Sequence, residues 1–137
     1  MPGHSNAKPV KSVEHKVSAA LSQSWSLETS YDPAGWSERN SAWGQCAVSA
    51  LIVQDLLGGE LLVGKVNGTE HYWNELPDGR QVDLTKHQFG RIASLEGPCQ
   101  VSREFVLSFP ETRTRYERLR RRVLARLGDQ SLVARRG

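Results

Sequence analysis

Residues 42–59, AWGQCAVSALIVQDLLGG, decide the fold of this chain. From about Gly44 to Leu57, apolar side chains cover almost every face of the predicted helix, so we expect it to be central and buried. Gly58 and Gly59 follow, and glycine readily adopts the left-handed backbone conformation that ends many helices. Cys46 stands in the first turn of the same helix. The stretch therefore predicts a core helix that begins with a thiol.

Three strand-like segments follow this helix: ELLVGKV, TEHYWNEL and RQVDLT. Asn67-Gly68 joins the first two and Pro77-Asp78-Gly79 joins the last two, and both are typical turns of antiparallel hairpins. CQVSREFVL, residues 99–107, predicts a fourth strand. The sequence therefore predicts an α+β fold, in which the buried helix packs on a small antiparallel sheet.

Amphipathic helices are predicted near both ends of the chain. Apolar residues recur at helical spacing within KSVEHKVSAALSQSW, residues 11–25, and again from Pro110 to a stop at Gly128. Thr85 and Gln88 predict a short helical turn between the sheet and the last helix. We expect a flexible segment over residues 1–10, a single domain over residues 11–128 and a basic tail over residues 129–137.

Composition and charge restrict the class of protein. The two cysteines among 137 residues do not indicate a disulfide framework, and no segment is apolar enough to span a bilayer. We therefore expect a cytoplasmic protein with reduced thiols. Half of the 18 lysines and arginines lie from Arg113 onwards, beside only two acidic residues. The region Arg113–Arg126 is therefore a candidate surface for an acidic partner or nucleic acid.

The hairpin register decides whether His71 and Asp83 can meet. A three-residue Pro-Asp-Gly loop pairs Leu76 with Arg80 and places Asp83 on the same face of the sheet as His71. The two residues are then diagonal neighbours, roughly 7–8 Å apart at the backbone and within reach of an imidazole–carboxylate contact. A two-residue loop would instead move Asp83 to the opposite face. The Asn67-Gly68 turn places Gly64 opposite His71, which predicts room beside the imidazole.

Cys46, His71 and Asp83 together have the chemistry of an acyl-transfer site. A thiolate is a strong nucleophile, and both a helix N-terminus and a neighbouring imidazolium favour it. Backbone N–H groups of the first helical turn are suited to hold an oxyanion, while a carboxylate orients the imidazole. We therefore expect a hydrolase or acyltransferase that acts on a peptide, amide or ester carbonyl and needs no cofactor or metal.

The same residues resemble a known group of enzymes. A cysteine that opens a core helix, followed by His-x-Trp-x-Glu on one strand and Val-Asp on the next, resembles the papain-like and transglutaminase-like cysteine enzymes. The stretches WSLETSYDP, WGQCAVSALIVQDLLGGELL and HYWNELPDGR are similar to small uncharacterised bacterial proteins of YunG type. The resemblance implies a papain-like core in which Cys46 is the nucleophile, His71 the general base and Asp83 the orienting residue.

Other side chains are candidates for supporting roles. Gln45, adjacent to the cysteine, and Gln23, at the end of the first helix, are candidate oxyanion donors by the same resemblance. Trp43 and Trp73 are expected either in the core or in contact with substrate, and Trp36 in the polar loop has the same two options.

Two alternative functions remain open at this stage. One is a zinc protein, because Cys46, His71, Asp83, His87 and Cys99 are all suitable ligand types, although no closely spaced ligand pair anchors such a site. The other is a binding module that keeps the papain-like frame without turnover and recruits a partner through its arginine-rich helix.

Overall fold

The computed structural model describes residues 8–136, and for residues 8–12 and 129–136 it describes the backbone alone. Residues 1–7 of the predicted N-terminal segment, and Gly137, lie outside the described residues. The elements in chain order are the helices α1 (Lys8–Ser24) and α2 (Cys46–Leu57), the strands β1 (Glu60–Val66), β2 (Thr69–Glu75), β3 (Gln81–Val82) and β4 (Leu95–Val101), and the helices α3 (Arg103–Leu107) and α4 (Pro110–Arg136). Short 3-10 turns occur at Leu27–Thr29, Pro33–Gly35 and Lys86–Phe89.

The helix α2 lies at the centre of the fold, as its all-round apolar sequence predicts. It packs on the sheet, chiefly against β2, and on the pair formed by α1 and α4. Leu51, Ile52 and Val53 are at most 1% exposed. The helix ends at Gly58, whose φ of 79° is the positive value that glycine tolerates best. This burial on two sides explains why a twelve-residue helix carries so few polar residues.

The sheet is antiparallel and has the strand order β3-β2-β1-β4. Both predicted hairpin registers are confirmed: Gly64 pairs with His71, and Asn74 pairs with Val82. The third strand is shorter than predicted, with only two paired residues, Gln81 and Val82. The fold is therefore α+β, with a four-stranded antiparallel sheet.

The region after residue 95 differs from the prediction. β4 covers only the first part of the predicted strand, and residues 103–107 form the short helix α3 instead. Ser102 explains the change, because its side chain caps the helix by accepting a hydrogen bond of 3.1 Å from the Phe105 N–H. The composition of CQVSREFVL is typical of a strand, so the sequence did not predict that a helix begins at Arg103.

The last helix is longer than predicted. α4 continues through Gly128 to Arg136, so the predicted stop at Gly128 is wrong. Gly128 does not have the positive φ of a helix C-cap, and as an interior glycine it lowers helix stability without ending the helix. Tyr116, Leu119 and Val123 face the core as predicted.

None of the helices in the described part of the chain combines the length and the apolar character that a membrane crossing requires.

Candidate active site

His71 and Asp83 form the centre of the candidate site. β2 holds His71 opposite Gly64, and the confirmed register of β3 brings Asp83 to the same face of the sheet. His71 Nε2 lies 2.6 Å from Asp83 Oδ2, and the imidazole is only 1% exposed. The other carboxylate oxygen, Oδ1, accepts a bond of 3.3 Å from the Thr85 N–H. The diagonal contact expected from the turn chemistry is therefore present.

The surroundings of His71 favour its protonated form. Burial of the ring lowers its pKa, but the hydrogen bond to Asp83, the nearby Cys46 and the negative charge of Asp83 outweigh burial and raise the pKa to about 9. The ring is therefore an imidazolium at neutral pH. Nδ1 is buried and has no hydrogen-bond partner among the described residues. Because Nε2 is engaged with Asp83, Nδ1 is the nitrogen left to face the thiol.

Two aromatic rings enclose the imidazole. Trp73 stacks on it with ring centroids 5.5 Å apart, and Phe89 meets it edge-on at 4.7 Å. The indole N–H of Trp73 donates a bond of 2.9 Å to Gln81 Oε1, which fixes the ring. A Cβ on Gly64 would lie 2.8 Å from the Trp73 ring, so the room predicted beside the imidazole is filled by this tryptophan. Trp73 is 7% exposed and therefore packs inside the protein.

The start of α2 presents unused N–H groups beside Cys46. The first helical bond runs from the Ser49 N–H to the Gln45 carbonyl oxygen, at 3.0 Å. The N–H groups of Cys46, Ala47 and Val48 have no acceptor among the described residues, and the Gln45 side chain makes no cap. Uncapped N–H groups at a helix N-terminus favour negative charge. The half-buried thiol therefore lies where both a thiolate and an oxyanion would be stabilised.

The side chains of both candidate oxyanion-donor glutamines form hydrogen bonds away from Cys46. Gln45 is fully buried, and its amide donates 2.9 Å to Ser26 O and accepts 2.8 Å from the Thr29 hydroxyl. Gln23 is exposed at the end of α1, where it accepts a bond from Arg126. The backbone N–H groups of α2 are therefore the available oxyanion donors.

Trp36 and Trp43, the other two candidate tryptophans, stabilise the loop that leads into Cys46. The Trp43 indole N–H donates 3.1 Å to Asp32 Oδ2, and the Trp36 indole N–H donates 2.9 Å to Ser41 O. Both rings are half-buried. Both hydrogen bonds join residues within the loop 32–43, so the two tryptophans stabilise the conformation of this loop.

Gln88 is a site residue that the sequence did not reveal. It is 7% exposed, and its Oε1 accepts 3.0 Å from the Gly44 N–H while its Nε2 donates 3.0 Å to Thr85 O. Its own carbonyl oxygen accepts 2.9 Å from Asn40 Nδ2. Gln88 thus joins the segment before Cys46 to the turn that holds Asp83. The sequence pattern predicted a turn at Thr85–Gln88 but held no signal for a partner 44 positions away.

Little enclosed space lies beside the thiol. A cavity of about 10 Å³ touches Cys46, Asp83 and Tyr72, and it is about the size of one water molecule. Any substrate would therefore approach Cys46 from its solvent-exposed side.

The five candidate zinc ligands do not form one cluster. Among residues 13–128, whose side chains the structure describes, no three His, Cys, Asp or Glu side chains lie close enough together to hold a metal ion. His87 is exposed next to the Trp25 ring, and Cys99 is exposed on β4 opposite Val63.

Several arginines of α4 are used inside the fold. Arg122 donates 2.7 Å to Ser26 Oγ and forms an ion pair with Glu28. Arg126 donates 3.0 Å to the Gln23 carbonyl oxygen at the end of α1. These cations therefore satisfy carbonyl groups at the C-terminus of α1, where positive charge is favourable. Part of the basic face thus has a structural role.

Similarity to known proteins identifies a family for this chain. A family model described as YunG protein matches residues 13–128, which include every residue of the site. The chain belongs to the YunG family. A curated relative, the uncharacterized protein YunG of Bacillus subtilis (strain 168), is 38% identical to this YunG chain over 77 residues. The alignment covers 56% of this chain and 63% of the relative, less than two thirds of its length. No solved structure matches the YunG chain.

Proposed function

We propose that this YunG chain is a cysteine-nucleophile hydrolase or acyltransferase with a papain-like or transglutaminase-like arrangement of catalytic groups. The observation that supports the proposal most is the buried His71–Asp83 pair, with Nε2 and Oδ2 2.6 Å apart, beside a thiol at an uncapped helix N-terminus. Asp83 pairs with the imidazolium at Nε2 only, and Nδ1 is buried without a partner among the described residues. A thiolate at Cys46 would pair with this second ring nitrogen and offset the free-energy cost of burying it.

The chemistry follows from these positions. The Cys46 thiolate attacks the carbonyl carbon of an amide or ester, and the electron pair moves to the carbonyl oxygen, which the N–H groups at the start of α2 stabilise. The His71 imidazolium gives its proton to the leaving amine or alcohol as that bond breaks. The neutral imidazole then takes a proton from water or from an acceptor amine, which attacks the acyl-enzyme and releases the thiolate. Asp83 orients the imidazole throughout.

The limited space near Cys46 favours an extended substrate. The cavity of about 10 Å³ cannot enclose a small molecule, since ligand pockets usually hold about 300–1,000 Å³. An exposed peptide or isopeptide segment that crosses the open side of Cys46 fits the geometry better than a compact metabolite.

The rate of alkylation of Cys46 by iodoacetamide, measured against pH, tests the proposal. Peptide mapping would assign the modified thiol, and Cys99→Ser removes the second, exposed thiol from the readout. We expect wild-type Cys46 to be alkylated rapidly at neutral pH, and His71→Ala to need a higher pH for the same rate.

Two outcomes would contradict the catalytic proposal. Cys46 that stays inert until denaturant is added would be a structural core residue. Low thiol reactivity combined with salt-sensitive polyanion binding would favour the binding module, which would use α4 arginines that remain exposed, such as Arg113 and Arg121.

A further inference from the structure

A cavity of about 390 Å³ opens between the loop after α1 and the first turns of α4. Its size is in the range of small-molecule sites, which usually hold about 300–1,000 Å³. Leu27, Tyr31 and the prolines Pro33 and Pro110 form much of its wall. Leu27 is 48% exposed and Tyr31 is 77% exposed, so the cavity has an apolar rim that the described chain leaves uncovered.

Arg115 lines the cavity without a carboxylate partner. Among the described residues, no acidic oxygen lies within 4.0 Å of its guanidinium, and its Nε is buried without an acceptor. Nη2 donates a bond of 3.2 Å to the Thr112 hydroxyl, and the guanidinium carbon lies 5.6 Å from the Tyr31 ring centroid. Burial lowers the pKa of Arg115, which reflects the cost of holding this charge away from water. The arginine is thus oriented by packing and retains free donor capacity.

The two acidic side chains at the cavity do not neutralise Arg115. Glu28 forms an ion pair with Arg122, so its carboxylate is already engaged. Glu111 lies one turn before Arg115 on α4, and its charge raises the pKa of Arg115, but burial has the larger effect and lowers it. Glu111 is exposed to water and forms none of the described ion pairs with Arg115. Glu111 also belongs to the first turn of α4, and the positive end of this helix dipole therefore adjoins the cavity.

We propose that this cavity binds a carboxylate ligand with an apolar body, in which the carboxylate pairs with Arg115 and the apolar part lies against Leu27 and Tyr31. The planar guanidinium presents parallel donors that match the two oxygens of a carboxylate. The apolar rim favours such a ligand over a bare inorganic anion, because burying Leu27 and Tyr31 needs apolar ligand surface.

This site is separate from the thiol chemistry. None of its lining residues is Cys46, His71 or Asp83, and carboxylate binding requires no acyl transfer. Several hydrogen bonds link the cavity loop to the segment before Cys46, among them bonds of 2.8 Å from the Tyr31 N–H to Gly44 O and from the Ser30 hydroxyl to Trp43 O. Ligand binding and thiol reactivity are nevertheless separate measurements, so either proposal can fail without the other.

A titration with N-acetylphenylalanine, followed through the amide resonances of Tyr31 and Thr114 by heteronuclear NMR, tests the site. N-acetylphenylalanine amide is the matched probe, since it keeps the ring and loses the charge. We expect saturable shifts with the acid at millimolar concentration, and binding of the amide that is weaker by roughly tenfold or more, the usual effect of losing a hydrogen bond to a charged group.

Matched arginine variants complete the experiment. Arg115→Gln should abolish the preference for the acid, whereas Arg113→Gln, an exposed arginine on the same helix that does not line the cavity, should keep it. If Arg115→Gln perturbs folding, Arg115→Lys serves instead. It retains the positive charge but lacks the parallel guanidinium donors, so it should bind the acid more weakly than wild type. Equal binding of acid and amide, shifts that persist in Arg115→Gln, or no binding of either probe would overturn the proposal.

Discussion

The N–H of Gly44 donates a hydrogen bond of 3.0 Å to Oε1 of Gln88, and this bond joins the segment before Cys46 to the turn after Asp83. The same side chain donates 3.0 Å to Thr85 O, so both of its polar atoms are used within the protein. Gln88 is only 7% exposed, which protects these bonds from water. This one amide therefore contributes to the spacing between the thiol and the His71–Asp83 pair, together with the packing of α2 on β2.

Gln88→Ala should lower the reactivity of Cys46 at neutral pH while leaving the fold in place. The variant loses the bonds to Gly44 and Thr85, so we expect a cost of about 1–3 kcal/mol in the free energy of unfolding. Alkylation rates and urea unfolding measure the two effects.

Gln54→Ala is the matched control for Gln88→Ala. Its amide donates 3.1 Å to Gly59 O at the far end of α2, so it should lose stability without losing thiol reactivity. An equal fall in reactivity in both variants would assign the effect to general destabilisation.

The stability of the protein should fall as pH rises through the titration of His71. The pKa of His71 is raised from 6.5 to about 9 by folding, so the folded state holds the proton more tightly than the unfolded chain. The resulting stabilisation is fully present below about pH 6.5 and is lost as pH rises through about 9. The difference of about 2.5 between these pKa values corresponds to a loss of up to about 3 kcal/mol. Urea unfolding at a series of pH values measures it.

Asp83→Asn should remove much of this pH dependence, because the carboxylate that raises the pKa of His71 is gone. Asp78→Asn is the control, since Asp78 is an exposed carboxylate that pairs with Arg80. A slope unchanged in Asp83→Asn would show that the pH dependence arises elsewhere.

Gly64→Ala should destabilise the protein and disturb the packing on His71. The new Cβ would clash with the carbonyl oxygen of Glu96 and lie 2.8 Å from the Trp73 ring. Overpacking of this kind typically costs about 1–3 kcal/mol. The thermal midpoint and the fluorescence of the tryptophans report the two effects.

Gly128→Ala supplies the opposite case. Apart from its own helical turn, no atom of the described residues lies within 4 Å of the added Cβ, and Gly128 is helical, so the substitution should stabilise α4 by about 0.5–1 kcal/mol. A Gly64→Ala variant as stable as wild type would mean that Trp73 can shift without cost.

Arg122→Gln should reduce stability, whereas Arg121→Gln should leave it within about 0.5 kcal/mol of wild type. Arg122 bonds to Ser26 and Glu28, while Arg121 is exposed and makes none of the described side-chain bonds. Urea unfolding distinguishes the variants. If both variants weaken polyanion binding and neither lowers the free energy of unfolding, these arginines form a binding surface and have no structural role.

The central helix and the His71–Asp83 contact were predictable because their signals are local. The apolar run from Ala47 to Leu57 fixes the buried helix, and two short turns fix the strand registers. A register that is known to one residue determines which side chains share a face of a sheet. Because His71 and Asp83 share a face of the sheet, their side chains can meet.

The rest of the site depends on contacts between segments far apart in the chain. Gln88 meets Gly44 across 44 positions, and no pattern in either segment identifies the other. The contacts of Gln45 are of the same kind, because its buried amide bonds to Ser26 and Thr29, and the sequence does not indicate either partner. Arg115 lies within the region Arg113–Arg126, which the sequence indicates only as a basic candidate surface, and the sequence does not show that the loop after α1 packs beside it.

The pairing of α1 with α4 has a consequence for the order of folding. His71 and Asp83 are 12 positions apart, whereas Arg126 and Ser24 meet across 102 positions. Because closing a long loop costs more chain entropy than closing a short one, we expect the hairpins to form before the two terminal helices dock. Pulse-labelled hydrogen exchange would show the amides of β1 and β2 protected before those of α1, and the reverse order would exclude this sequence of events. The two terminal helices would thus dock last, on a sheet whose strands are already in register.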